Sequence, residues 1–265
     1  MITGKSAVEA LDRIHNRLSG VWERDRNTID VFMDFEFWDR GWIGLHTISG
    51  GLVFVAGGFN NVPYQQRRFY FINTDFFTYL HKGFDDLTAL YHEGNENAKW
   101  LHDHVFKYLH DKVSGKTMQW VQDNVDVDED EFEPTEDPEL KDVAQAVGSI
   151  GDDDIKKELQ KVVDSFGIKQ PVLRIWGYYP AHDHVCLCSI FGAMVDMPDS
   201  WKFYDFDLRS MTDIYGYEHD EFNPEPAQPH HALHDAYSQY LTTRALFERL
   251  KRDKVIAFDD QETKF

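Results

Sequence analysis

The chain has 265 residues, 42% hydrophobic and 15% aromatic, enough to enclose one large core or two small ones. Its net charge of −20, from 47 acids against 27 Lys and Arg, excludes a protein that holds nucleic acid on a broad basic face. A phosphate-bearing ligand needs local help here, from a few basic side chains at a cleft or from divalent cations held by the acids themselves.

The opening segment MITGKSAVEALDRIHNRLSG has an amphipathic helical pattern without the apolar core of a signal. No run approaches the roughly 18 apolar residues of a membrane span. A cytosolic protein with no membrane partner is therefore expected, and the two cysteines, Cys186 and Cys188, are expected to be buried thiols rather than a disulfide framework or a zinc site. After the helix, IDVFMDFEFWD (29–39), LHTISGGLVFVAGG (45–58) and RRFYFINT (67–74) read as strands, rich in β-branched and aromatic residues, in an antiparallel meander. Residues 95–113 have helical spacing through Trp100, Val105, Phe106, Leu109 and Val113. The acidic stretch DNVDVDEDEFEPTEDPEL, broken by Pro134 and Pro138, reads as a solvated insertion. A helix over 152–166, a buried strand in QPVLRIWGYY, a helix in HDHVCLCSIFGAM, a short strand KFYDFDL and a long amphipathic helix from His230 follow. Strands first, then alternating helix and strand, imply one α/β domain: a mixed five-stranded sheet with helices on both faces, three layers in all. The division expected is a helical extension over 1–28 and a main domain over 29–265 that carries the acidic insertion around 114–151.

Alternate side chains of a strand share a face, so Phe32, Asp34, Glu36 and Trp38 point one way and Val31, Met33, Phe35 and Phe37 the other. Asp34 and Glu36 then stand roughly 6.6 Å apart along the strand, two rises of about 3.3 Å. Half buried and unneutralised, such a pair repels until one member takes a proton, and a divalent cation removes that cost. Near the other end, His230 precedes or opens the last helix and Asp235 lies in its first two turns; five residues apart, they reach a common point from a loop and from a helix. Asp183 follows a strand and opens a helix, where an acid is also favoured as a cap. Two other patterns are set aside. The HDH of 102–104 lies in a helix, where residues two apart do not share a face for zinc. The run from Asp126 to Asp130 has Glu131 where a calcium loop requires Gly.

D-x-E on the first strand, an Asp opening a later helix and H-x4-D at the last helix resemble the DEDDh group of 3′-5′ exonucleases, which have the ribonuclease H-like fold. The blocks MDFEF, YYPAHDHVCLCSIFGAMVDMP, KFYDFDL and HHALHDA are similar to the bacterial and phage branch that includes the mycobacterial-type 3′-5′ exoribonucleases, in order over roughly 29–250. One departure is Tyr179, where the second motif usually has Asn. The resemblance implies two divalent cations, Mg²⁺ or Mn²⁺, held by Asp34, Glu36, Asp183 and Asp235, with His230 as general base. It implies release of nucleoside 5′-monophosphates from the 3′ end of single-stranded or 3′-overhanging RNA or DNA, a homodimer, and a bacterial or phage-infected host cytoplasm. Phe35, Phe37, Trp38 and Tyr179 are candidates for stacking on terminal bases. The competing readings are an inactive acidic interaction protein of the same fold and an endonuclease of that fold.

Overall fold

The computed structural model describes residues 27–39, 45–56, 65–73, 75–76, 87, 89–106, 144–218, 221–222 and 229–253. The expected N-terminal helix and the acidic stretch 123–140 lie outside them. No helix among the described residues is long and apolar enough to cross a membrane.

One mixed sheet organises the molecule, built from β1 (Thr28–Asp39), β2 (Leu45–Ala56), β3 (Gln65–Asn73), β4 (Ala144–Ile150), β5 (Val172–Gly177) and β6 (Trp201–Asp207), in the order β4-β3-β2-β1-β5-β6. β1, β2 and β3 are antiparallel, as the meander pattern predicts, while β5 runs parallel to β1 and β6 parallel to β5. The five expected strands are all present, and β4 adds a sixth, parallel to the outer edge of β3. β4 falls within the 114–151 span read as an insertion, where AQAVGSI carries little strand propensity of its own; the open ladder of β3 supplies its hydrogen bonds.

β1 lies inside the sheet and is buried on both faces, which explains its near-continuous apolar run. Ile29, Val31, Met33 and Phe35 pack with Ile155, Leu159 and Val163 of α2 (Asp152–Asp164) and Cys186, Leu187 and Ile190 of α3 (Ala181–Phe191). Phe32 and Trp38 join the opposite core, with Leu101 of α1 (Glu96–His104), Leu208 and Met211 of α4 (Leu208–Tyr215) and the buried stripe of α5 (Ala232–Arg252). The alternation read from the sequence therefore holds along the whole of β1. Cys186 is buried and Cys188 half-buried, both free thiols. Burial pushes the Cys186 thiol up to about 12, which leaves it chemically quiet.

What brings α5 onto the sheet is Gly51. A Cβ at that position would lie 2.2 Å from the backbone nitrogen of Leu233 and 2.3 Å from the carbonyl carbon of Ala232. The first turn of α5 thus rests directly on bare β2 backbone, and Gly51 is paired with Asp34. This contact sets the distance between the first strand's acids and the start of the last helix.

Candidate active site

The acids of β1 lie where the sheet opens. Pairing between β1 and β5 ends at Phe32 with Trp176, so the Phe35 N–H has no strand partner on that side. Asp183 at the start of α3 fills the gap, its Oδ1 accepting the Phe35 N–H at 2.9 Å. A helix-opening acid, explicable by capping alone, is thereby fixed against the strand that carries Asp34 and Glu36. α5 contributes Asp235 in its first turn, whose carboxylate accepts a hydrogen bond from the His230 backbone N–H. Donor atoms of Glu36, His230 and Asp235 all lie within 4.8 Å of one another.

These side chains converge on a cleft of about 370 Å³, lined also by Phe37, Tyr178, Tyr179, His182, Ser238, Gln239 and Thr242. No Lys or Arg lines it among the described residues. The contrast with Asp30, four residues earlier on the same face, is informative. Asp30 is 1% exposed and is met by Arg174, whose Nε and Nη2 each donate at 2.7 Å, and by the Trp176 indole N–H at 2.8 Å. Asp34, by comparison, receives the amide of Gln239 at 3.2 Å, and no described cation is paired with it or with Glu36.

The electrostatic consequence is uniform. Burial first, then the neighbouring carboxylates, pushes Glu36 up to about 8 and Asp34 well above the usual range. Burial also lifts Asp183 and Asp235 to about 7, although the Phe35 N–H and the His230 N–H respectively hold them down in part. Four carboxyls held above the usual carboxylate range, facing one cleft, form a donor set for a hard divalent cation.

Two of the three described non-glycine residues in the left-handed region, Tyr179 (φ 55°) and His230 (φ 63°), line this cleft. Strained backbone of this kind persists only where the surroundings over-determine it, and it concentrates at functional sites. Tyr179 is 60% exposed at the rim, with its N–H donated to Asp207. The other stacking candidates fare differently. Trp38 is 7% exposed in the core, its ring centroid 6.5 Å from that of His46, and it is not part of the cleft wall, which corrects the expectation that it meets a base. The Phe35 ring is 3% exposed and packs 6.0 Å from Phe71 on the far face, so Phe35 serves the site through its backbone. Phe37 does reach the cleft, with its ring 5.6 Å from that of His182.

Gln239 and Thr242 were missed by sequence reasoning, although they follow Asp235 at four and seven residues, the helical spacing that would have found them. The two HDH segments separate as expected of helices. His102 stacks on Tyr91 while His104 stacks on Trp100, and His182 lines the cleft while His184 bonds Asp205 at 2.6 Å.

Compared with known proteins, residues 30–247 match the family described as the 3′-5′ exoribonuclease Rv2179c-like domain. No curated protein matches the sequence. Among solved structures, the fold aligns with the zinc ion bound form of the E. coli ExoI–ssDNA complex at 10% identity and a TM-score of 0.42, over 86% of this chain. The chain spans 41% of the length of that protein.

Proposed function

The chain belongs to the Rv2179c-like 3′-5′ exoribonuclease family, and on that premise we propose that it is a metal-dependent exonuclease of the DEDDh type that shortens RNA from its 3′ end. The observation that carries the reading is the convergence of Asp34, Glu36, Asp183, Asp235 and His230, from three elements and a loop, on one cleft that no Lys or Arg lines among the described residues. An inactive binding protein has no use for four carboxyls kept together at the expense of mutual repulsion.

Asp34, Glu36, Asp183 and Asp235 would hold the cations, two of them by resemblance. Divalent ions bound there would neutralise the phosphodiester oxygens and make water a stronger acid. Gln239 orients Asp34 through its amide, and the Phe35 N–H orients Asp183. His230 takes the proton of the attacking water on the ring nitrogen that lies among the donors of Glu36 and Asp235. The water oxygen bonds to phosphorus, the bond from phosphorus to the 3′-oxygen breaks, that oxygen takes a proton from solvent to become the new 3′-hydroxyl, and a nucleoside 5′-monophosphate leaves. Tyr179, exposed at the rim, offers a ring to the terminal base. RNA, single-stranded or with a 3′ overhang, is the substrate proposed, with DNA as the comparison.

The test is a time course on a 3′-labelled single strand with Mn²⁺ or Mg²⁺, run on matched RNA and DNA and on a circular strand. Labelled mononucleotide should appear first from the linear RNA and not from the circle. Cleavage of the circle would make the protein an endonuclease, and no release from any strand would leave only a binding role.

A further inference from the structure

His230 sits on a loop, and loops hold catalytic groups less precisely than helices or strands do. Its backbone adopts φ 63°, a left-handed conformation that is strained for a non-glycine residue. Asp235 secures its backbone N–H, which fixes the main chain and not the ring. The ring is met on another side by α1, an element that nothing so far connects with the chemistry.

α1 is firmly placed. Asn95 caps it by accepting the Ala98 N–H at 3.1 Å, and Ala98 and Leu101 are buried in the core shared with α5. One turn apart on its outer face are Trp100 and His104, whose rings stack with centroids 4.9 Å apart and planes 12° from parallel. His104 Nδ1 lies 2.9 Å from the Trp100 carbonyl oxygen; a carbonyl only accepts, so Nδ1 carries the proton and the imidazole is locked against its own helix. Both rings then abut His230 nearly at right angles, Trp100 at 4.9 Å and 78°, His104 at 5.4 Å and 89°. Trp100 is 42% exposed, so the core does not demand an indole there.

We propose that Trp100, held by its stack on His104, is a positioning residue that fixes the His230 imidazole between α1 and the acids of the cleft. The assignment rests on His230 acting as the base of the proposed nuclease. Trp100 itself touches no reacting atom. A loop histidine is thereby held as if it stood on a helix, and misplacement of a catalytic group by about 1 Å is enough to cost 100-fold in rate.

The experiment compares the parent with Trp100→Ala, Trp100→Phe and His104→Ala on a labelled RNA strand, after thermal unfolding confirms that each variant is folded. Trp100→Ala should lower kcat about 10- to 100-fold with KM changed less than about twofold. His104→Ala should move kcat the same way by less, and Trp100→Phe, which keeps a ring, should recover most of it. An independent readout needs no activity: the carbon-bound imidazole protons of His230, identified by their loss in His230→Ala, are followed by NMR in chelator-treated protein. Ring currents from α1 should displace them most in the parent, less in Trp100→Phe, and least in Trp100→Ala, where of the two rings only that of His104 remains. Unchanged signals and kcat in folded Trp100→Ala would overturn the proposal, as would a raised KM at constant kcat, which would make Trp100 a substrate contact. A parent that releases no mononucleotide would sink the nuclease reading instead, and the NMR comparison would still decide whether α1 positions the ring.

Discussion

Asp30 and Asp34 share one face of β1, yet removing each should have opposite effects. Asp30→Ala takes from the half-buried Arg174 the carboxylate that it grips at two points, and breaking such a pair costs up to about 3–5 kcal/mol. Urea unfolding should show that loss whether or not metal is present. Asp34→Asn keeps the shape and the bond from Gln239 while removing a charge that burial and three other carboxyls disfavour. Chelator-treated Asp34→Asn should therefore melt at or above the parent's temperature, by about 2–4 °C for each kcal/mol of repulsion relieved, while turnover is abolished. A marked fall in its melting temperature would give Asp34 a structural role instead. Sequence reasoning saw this difference only in part. The parity of β1 puts all three acids on one face, but which of them meets a cation depends on Arg174, 144 residues further on.

The elements themselves were largely legible, since a buried strand's composition and an amphipathic helix's spacing are local properties. The candidate acids drew notice for a related reason: Asp34 and Glu36 interrupt an apolar strand, and Asp183 and Asp235 stand in the first turns of their helices. What the sequence hid is what depends on pairing register. Gly50 and Gly51 look alike in a strand, but the Cβ of an alanine at 50 would meet the rings of Phe71 and Phe35, whereas one at 51 would meet the backbone of Ala232 and Leu233. Rings can swing aside and helix backbone cannot, so Gly51→Ala should push α5, with Asp235, away from Asp34. The expected result is destabilisation at or beyond the about 1–3 kcal/mol of ordinary overpacking, with weakened Mn²⁺ binding in whatever protein remains folded. Gly50→Ala should bind Mn²⁺ like the parent. The face of α1 that meets His230 was hidden for the same reason, since Trp100 and His104 acquire meaning only once the loop before α5 is in place.

At the scale of the whole molecule, a chain of net charge −20 concentrates four of its 47 acids at the cleft proposed to take a polyanion. Without a cation, the folded protein keeps protons on Glu36, Asp183 and Asp235 up to about pH 7 to 8, while the unfolded chain gives them up near pH 4. Across that window the folded state binds more protons than the unfolded one, so this contribution to stability is complete below about pH 4 and is lost as the pH rises through 7 and 8. Glu36→Gln cannot ionise and isolates the effect: in chelator, its melting temperature relative to the parent's should climb between pH 6 and pH 9. An equal offset at every pH would show that Glu36 is not held up by its surroundings. Cations require the deprotonated carboxylates, so Mn²⁺ must displace protons as it binds. Its affinity should therefore increase from pH 6 to pH 8, and calorimetry in two buffers of different ionisation enthalpy should register proton release that shrinks as the pH rises. Equal heats in the two buffers at pH 6 would mean that the carboxyls are already ionised and that the cleft tolerates its charge by other means.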